Sequence, residues 1–192
     1  MPQILKQYHQ QFPNVQVKII VARPSTYMLE PLRKGQIDAA IVLESPFDIP
    51  SLASTSLWSE TLQLVAAPSH PLSDMRRINF DYLEHESFIM PEKGAHYRKL
   101  FERRAQEAGF EPNIAFEVHS LDGIKRCVMA GVGLAVLPTF AIDDELARGE
   151  LVALPIEGRQ LKVEVQLIWH KNRLVNRPTQ AFIDLVIKQS KD

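Results

Sequence analysis

One arrangement of residues occurs twice in this chain and limits the folds that it can adopt. The two copies occupy residues 12–42 and 110–138. Each copy contains Pro-Asn, a short apolar strand pattern, a serine, a helical pattern of about ten residues, a glycine and a second strand pattern. This alternation predicts right-handed βαβ units and a largely parallel sheet. Two copies favour two sheets and hence two lobes, although one α/β sheet with self-similar halves stays an alternative.

The end of the second copy, "CVMAGVGLAVLP" at residues 127–138, has three interpretations. A dinucleotide-binding loop requires a strand, then Gly-x-Gly-x-x-Gly, then a helix, but here the glycines follow a helical pattern and the third glycine is absent. A membrane segment is excluded because the uncharged run at 127–142 has 16 residues and is interrupted by Gly131, Gly133 and Pro138. We therefore interpret Gly131 as a left-handed residue that ends a helix, and Gly133 as part of a tight turn into a buried strand.

The other hydrophobic patterns predict alternating helices and strands. Strands are expected at residues 15–21, 37–43, 61–68, 87–91, 114–118 and 161–170. Helices are expected before Pro13, after Ser25, and at residues 96–108, 121–130, 140–148 and 179–188.

The composition is that of an ordinary globular chain without a basic excess. Apolar residues make up 45% and charged residues 23% of the 192 residues, and the formal net charge is -1. A nucleic-acid-binding surface usually carries a positive excess, so these residues are not expected to form one. Cys127 is the single cysteine, which excludes an intrachain disulfide and fits a reducing compartment. Residues 1–13 include Lys6 and His9 and lack the apolar core of a secretory signal.

In both copies a strand leads into a helix that begins at a serine, Ser25 in the first and Ser120 in the second. Two α/β lobes leave a cleft between them, and ligands bind at the carboxyl ends of the strands. The first-turn N–H groups and the helix dipole favour anions there. Asp122 could satisfy the second helix start by itself, so a helix cap with no ligand contact stays an alternative for each serine.

Lys93 and His96 lie in the polar segment "PEKGAH" that follows the predicted strand at 87–91. An ammonium group and an imidazole facing a cleft could hold a carboxylate. A solvated surface turn is the alternative.

Catalytic and metal sites have little support in the sequence. His119 and Ser120 are adjacent at a strand-to-helix junction, where their side chains should diverge, and no Gly-x-Ser-x-Gly surrounds them. No histidine pair has the i, i+4 zinc spacing. Cys127 lies in a helical apolar pattern and is expected to be a buried thiol, with a redox sensor as the alternative. The sequence therefore predicts no catalytic residue, no metal and no cofactor.

Five segments occur in the order typical of one family and cover nearly the whole chain. They are the amphipathic first helix ending at Phe12-Pro13, "LRKGQIDAAIV", "LQLVAAPSHPLS", "GIKRCVMAGVGLAVLP" and "RPTQAFIDLV". With this set, the chain resembles the C-terminal effector-binding domain of LysR-type transcriptional regulators.

The resemblance implies an α/β fold of the periplasmic-binding-protein type, with two Rossmann-like lobes joined by two crossover strands and a ligand cleft between them. We expect the first lobe at 1–68 plus 164–192 and the second at 69–163. The family's N-terminal winged helix-turn-helix and first strand are expected to lie outside this chain. The resemblance implies effector contacts at Ser25, Thr26, Leu43, Glu44, Ser45, Pro91, Lys93, Gly94, His96, Ser120 and Leu121.

The predicted function is that of a small-molecule sensor in a bacterial transcription regulator. The resemblance implies an anionic metabolite as effector, an antiparallel homodimer of this domain, a tetramer of the full-length protein, and a cytoplasmic location without membrane contact. DNA would be bound only through the N-terminal domain. A free-standing periplasmic-type solute-binding protein is the alternative, and a small α/β hydrolase or transferase is a more distant one.

Overall fold

The computed structural model describes residues 1–21, 25–44, 49–158, 160–171 and 176–190, with the backbone alone for Ser25 and Thr26. The chain forms two compact units, Met1–Ser59 with Glu164–Asp192, and Glu60–Val163. Two strands, β2 (Leu52–Ala66) and β7 (Leu161–His170), belong in part to each unit. The predicted lobe assignment, with its first boundary at residue 68, stays a prediction.

In the first unit, the strand β1 (Ala39–Glu44) pairs antiparallel with β7, from Ala39↔Trp169 to Glu44↔Glu164. Its helices are α1 (Pro2–Gln11), α2 (Leu29–Lys34), preceded by a 3-10 helix (Ser25–Met28), and α6 (Arg177–Gln189). The apolar side of α6 packs on β7, where Ile183 and Val186 join a buried cluster with Val165 and Leu167. As predicted, the first helix ends before Pro13, and Gly35 ends α2 with a left-handed backbone (φ 68°).

The prediction of a strand at residues 15–21 is wrong. These residues belong to no strand, and the side chains of Val17, Ile19, Ile20 and Val21 are exposed. A β-strand needs a neighbour to pair its N–H and C=O groups, and residue propensity does not replace that neighbour. Within the described residues, β1 lies at the end of the sheet order β1-β7-β2-β5 and pairs with β7 alone.

The second unit contains the elements of the second sequence copy. They are β3 (Ser87–Met90), α3 (His96–Glu107), β4 (Asn113–Glu117), α4 (Leu121–Met129) and β5 (Ala135–Pro138), followed by α5 (Asp143–Ala147) and β6 (Val152–Ala153). β3 pairs parallel with β4, and a parallel bridge joins Phe88 to Leu134 just before β5. β2 pairs antiparallel with β5 and β6.

The expectation of a parallel arrangement is thus confirmed for β3, β4 and the start of β5, and wrong for β1, whose partner β7 is antiparallel. The core of the second unit lies between α4 and the strands. Val65, Ile89, Ile124, Val128 and Leu137 are completely buried in it. No helix in the described part of the chain has the length and apolar character that crossing a bilayer requires.

The segment at residues 127–138 ends a helix and begins a buried strand, as predicted. Gly131 follows α4 with a positive φ of 76°. Gly133 lies where the chain passes β3 so closely that an added Cβ would be 2.4 Å from the carbonyl oxygen of Ser87. That carbonyl accepts a hydrogen bond from the N–H of Leu134 at 2.8 Å. The glycine at 133 is therefore required by the approach of β5 to β3.

We expect Gly133→Ala to lower the free energy of unfolding by about 3 kcal/mol, because the new methyl group overlaps backbone that cannot move away easily. Gly131→Ala is the matched control, since its Cβ meets no atom within 4 Å and only the left-handed backbone opposes it, at a cost of about 1–2 kcal/mol. Urea denaturation of both variants would measure the difference. Equal losses in the two variants would contradict the close approach at Gly133.

Candidate functional site

The carboxyl ends of β3 and β4 form one edge of the second unit. Because the two strands are parallel neighbours, the chain leaves both at the same edge. The N–H of Val118 donates to the carbonyl oxygen of Met90 at 2.9 Å and holds the two strand ends together. The β3–α3 loop (residues 91–95) and the β4–α4 loop (residues 118–120) therefore lie side by side. Ligands of α/β proteins bind at edges of this kind.

The structure places the predicted site residues of the second unit on these two loops and at the adjoining helix starts. Within the β3–α3 loop, Pro91 is buried, Lys93 is exposed and Gly94 has a positive φ of 106°. His96 is the first residue of α3 and is half-buried, and Ser120 and Leu121 lie at the start of α4.

Ser120 caps α4, as the sequence predicts. Its hydroxyl oxygen accepts a hydrogen bond from the N–H of Gly123 at 3.0 Å. Leu121 packs against the core cluster beneath the helix. Asp122, which could have satisfied the helix start, instead pairs with Arg126 at 2.8 Å, and this hydrogen bond lowers the pKa of Asp122.

The predicted site residues of the first unit are separate in sequence and are described less completely. Ser25 and Thr26 begin the 3-10 helix, and their side chains lie outside the described residues. Leu43 and Glu44 end β1, where the carbonyl oxygen of Glu44 accepts from Nε2 of Gln166 at 2.9 Å. Ser45 lies outside the described residues. All effector contacts stay predictions.

A buried arginine holds the β3–α3 loop in place. This residue, Arg98 of α3, is 3% exposed. Its Nη1 donates to the carbonyl oxygen of Pro91 at 2.6 Å and to Oε2 of Glu117 at 2.7 Å. Its Nε donates to Oε1 of Glu102 at 2.7 Å. Burial opposes the charge of Arg98, but the hydrogen bonds to the two carboxylates outweigh it and raise the pKa of Arg98.

Glu117, at the end of β4, shares the buried arginine with the loop. The hydrogen bond from Arg98 holds the pKa of Glu117 below its usual value, and the backbone of Lys93 acts in the same direction. Arg98 thus joins the end of β4, through Glu117, to the carbonyl group of Pro91 in the β3–α3 loop. The backbone of the predicted site is consequently well defined before any ligand binds.

Glu92, in the same loop, is buried to 6% exposure without the hydrogen bonds that such burial normally requires. Within the described part of the chain, neither oxygen of its carboxylate has a hydrogen-bond partner. The Nδ1 atom of His119 lies 3.5 Å from Oε2 of Glu92, and the His119 side chain is 77% exposed. Glu92 and His119 therefore face each other across the two loops.

The geometry of the described residues gives no support to the catalytic, redox and metal sites that were considered from the sequence. Among the described residues, His119 contacts Glu92 rather than Ser120, whose hydroxyl caps α4. Cys127 is half-buried and packs against the core cluster. No group of three or more His, Cys, Asp or Glu side chains that could hold a metal occurs in the part of the chain that the structure describes.

Comparison with known families assigns the chain. The family described as LysR substrate binding domain matches residues 1–191. The chain belongs to this family. Its fold is the periplasmic-binding-protein type that the resemblance implied, with two α/β lobes joined by two crossover strands.

The relatives of this LysR domain are transcriptional regulators. It is 33% identical over 191 residues to the uncharacterized HTH-type transcriptional regulator YwqM of Bacillus subtilis and covers 64% of that protein. It is 31% identical over 187 residues to a probable nitrogen assimilation transcriptional activator of Synechococcus elongatus and covers 60% of it. The chain therefore spans less than two thirds of these relatives, and it is matched over 100% and 96% of its own length.

Solved structures of LysR domains have the same fold. The regulatory domain of Synechocystis CcmR, solved in complex with 2-PG, superimposes with a TM-score of 0.88 at 26% identity, over 100% of this chain and 91% of that one. The effector-binding domain of QuiR, solved in complex with shikimate, gives a TM-score of 0.82 at 19% identity over 99% and 90% of the two chains.

Sequence reasoning missed Arg98, Glu117 and Glu92 in this LysR domain, and it considered His119 beside Ser120 rather than beside Glu92. A signal for Arg98 was present, because it lies beside Tyr97 and three residues before Phe101, on the buried side of α3. The burial of Glu92 had no such signal, since it depends on how a five-residue loop folds over β4.

We expect Arg98→Lys to lower the free energy of unfolding by about 2 kcal/mol, because an ammonium group cannot replace three directed hydrogen bonds of a buried guanidinium. Arg103→Lys on the exposed side of α3 is the matched control, since its nearest carboxylate atom lies 3.9 Å away at the surface. Denaturant unfolding would compare them. A loss for Arg98→Lys no larger than that for Arg103→Lys would contradict a stabilising role of the hydrogen bonds from Arg98 to Pro91, Glu102 and Glu117.

Glu117 should contribute stability that disappears in acid. Its folded-state pKa is lowered from 4.5, so its contribution is complete above that value and is lost as the pH falls through the lower folded-state pKa. The stability difference between wild type and Glu117→Gln should therefore be largest near neutral pH and should narrow below pH 4.5. Unfolding at a series of pH values, with the exposed Glu111→Gln as control, would measure this. A difference that is constant with pH would contradict the assignment.

Proposed function

We propose that this LysR domain binds a small anionic metabolite at the carboxyl edge of β3 and β4 and thereby controls a DNA-binding domain of the same polypeptide. The observation that carries the proposal is the edge itself, where Arg98 holds the β3–α3 loop through Pro91 and the end of β4 through Glu117, and where Lys93 is exposed in that loop. The first turn of α4 adds N–H groups that have no partner within the helix. The complex of CcmR with 2-PG supports this ligand class.

The proposed action involves binding without catalysis. An effector changes the regulator only through different affinities for two arrangements of the protein, and the coupling to DNA is reciprocal. We further propose antiparallel pairing of two copies of this domain, a tetramer of the full-length protein and a cytoplasmic location, all supported by its relationship to bacterial transcriptional regulators. Those relatives favour this function over a free-standing solute-binding protein.

The first-unit residues Ser25, Thr26, Leu43, Glu44 and Ser45 remain part of the proposed site on the strength of the family resemblance. Substitution by tryptophan tests the two helix starts. We propose that Ser25→Trp or Ser120→Trp abolishes effector binding and preserves the fold, and wild-type affinity in both variants would remove these positions from the site.

A thermal-shift screen with 2-PG, shikimate and small carboxylates tests the proposed function directly. A ligand at about 100 times its Kd adds roughly 2.7 kcal/mol to the free energy of unfolding, which raises the melting temperature by several degrees. Lys93→Gln should weaken binding of an anionic hit about tenfold, because a charge-assisted contact is lost. Lys99→Gln, an exposed lysine on α3, is the matched control. A hit that binds wild type and Lys93→Gln equally would contradict the proposed site.

A further inference from the structure

The buried carboxylate of Glu92 accepts no hydrogen bond from the residues that the structure describes. It lies in the β3–α3 loop, one residue before Lys93, and its side chain is 8% exposed. Within the described residues neither oxygen accepts a hydrogen bond. A buried polar group in this state is costly and requires an explanation.

The neighbouring polar groups form hydrogen bonds with partners other than Glu92. The hydroxyl oxygen of Ser120 accepts from the N–H of Gly123, and Glu117 accepts from Arg98. The imidazole of His119 lies 3.5 Å from the Glu92 carboxylate, beyond a good hydrogen bond, and is mostly in solvent. Within the described part of the chain, Arg98 directs its hydrogen bonds to Pro91, Glu102 and Glu117 and none to Glu92. Among the described residues, the protein supplies no donor to Glu92.

A metal ion is not a suitable partner for the Glu92 carboxylate. Hard cations bind several oxygen ligands at once, and the described residues contain no group of three or more His, Cys, Asp or Glu side chains that could hold one. An organic donor requires one acceptor only. Lys93 beside Glu92 can attract the negative group of the same molecule.

We propose that Glu92 accepts a hydrogen bond from the effector, so that the domain selects small acids that carry a hydroxyl or ammonium group as well as their negative charge. This inference rests on the proposed function, because it assigns ligand class at that same edge. Hydroxy acids and amino acids are the matching classes. A site built to pair a donor rejects the analogue that lacks it, since the buried acceptor is then left unpaired.

Two isosteric ligand series test the selection by titration calorimetry at pH 8, where imidazole groups are generally neutral. Succinate, malate and aspartate share one carbon skeleton and differ by no donor, a hydroxyl or an ammonium group, as do glutarate, 2-hydroxyglutarate and glutamate. In the series that binds, we expect a donor-bearing member to bind at least about tenfold more tightly than the donor-free member. Equal affinity for the donor-free acid would overturn the inference and leave the proposed function intact.

Variants of Glu92 connect the selection to this carboxylate. Glu92→Met removes the acceptor and should abolish the preference for donors. Glu92→Gln keeps a neutral acceptor, so it should retain part of a preference for a hydroxyl and lose that for an ammonium group. Glu111→Gln is the exposed control and should behave as wild type. A donor preference that survives in Glu92→Met would overturn the inference.

A measurement without ligand separates this inference from the proposed function. If Glu92 is unpaired in the ligand-free domain, Glu92→Met removes a destabilising group, and the melting temperature should rise by about 2–4 °C. A lower melting temperature for Glu92→Met would show that the protein itself satisfies the carboxylate, and would overturn the inference. If neither series binds, the proposed function loses support, and this comparison still decides the state of Glu92.

Discussion

A buried guanidinium, that of Arg98, holds together the part of the molecule on which the proposed site depends. It contacts the loop after β3 through Pro91, the end of β4 through Glu117 and its own helix through Glu102. A buried charge is tolerated only when its donors are satisfied, and here all three contacts are short. The loop, the strand end and the helix are therefore held in fixed positions relative to one another. The side chains on the loop start from this fixed backbone.

The polar groups at this edge differ in whether they have hydrogen-bond partners among the described residues. The carbonyl group of Pro91 and the cap of α4 are hydrogen-bonded within the protein. Among the described residues, the Glu92 side chain between them accepts no hydrogen bond. This difference is typical of binding sites. The residues that recognise a ligand often destabilise the folded protein, and the residues around them provide the compensating stability.

Local features of the fold were predictable from the sequence, and pairings over long distances were not. The cap at Ser120, the end of α4 at Gly131 and the strand–helix order of the second copy follow from signals a few residues long. The pair of Arg98 and Glu117 spans 19 residues, and its formation depends on the packing of α3 on β4. The strand expected at 15–21 failed for the same reason, since its apolar pattern is local but its partner would not be.

At high protein concentration, the exposed apolar side chains among residues 17–21 should favour association between copies of the domain. Val17, Ile19, Ile20 and Val21 are 43–83% exposed, and they follow one another closely in sequence. Among the described residues, β1 also has an edge whose backbone is paired on one side alone. With a net charge of -1, electrostatic repulsion between copies is weak. Association between copies of the domain should therefore depend on a short apolar segment of the first unit, far along the chain from the loops of the proposed site.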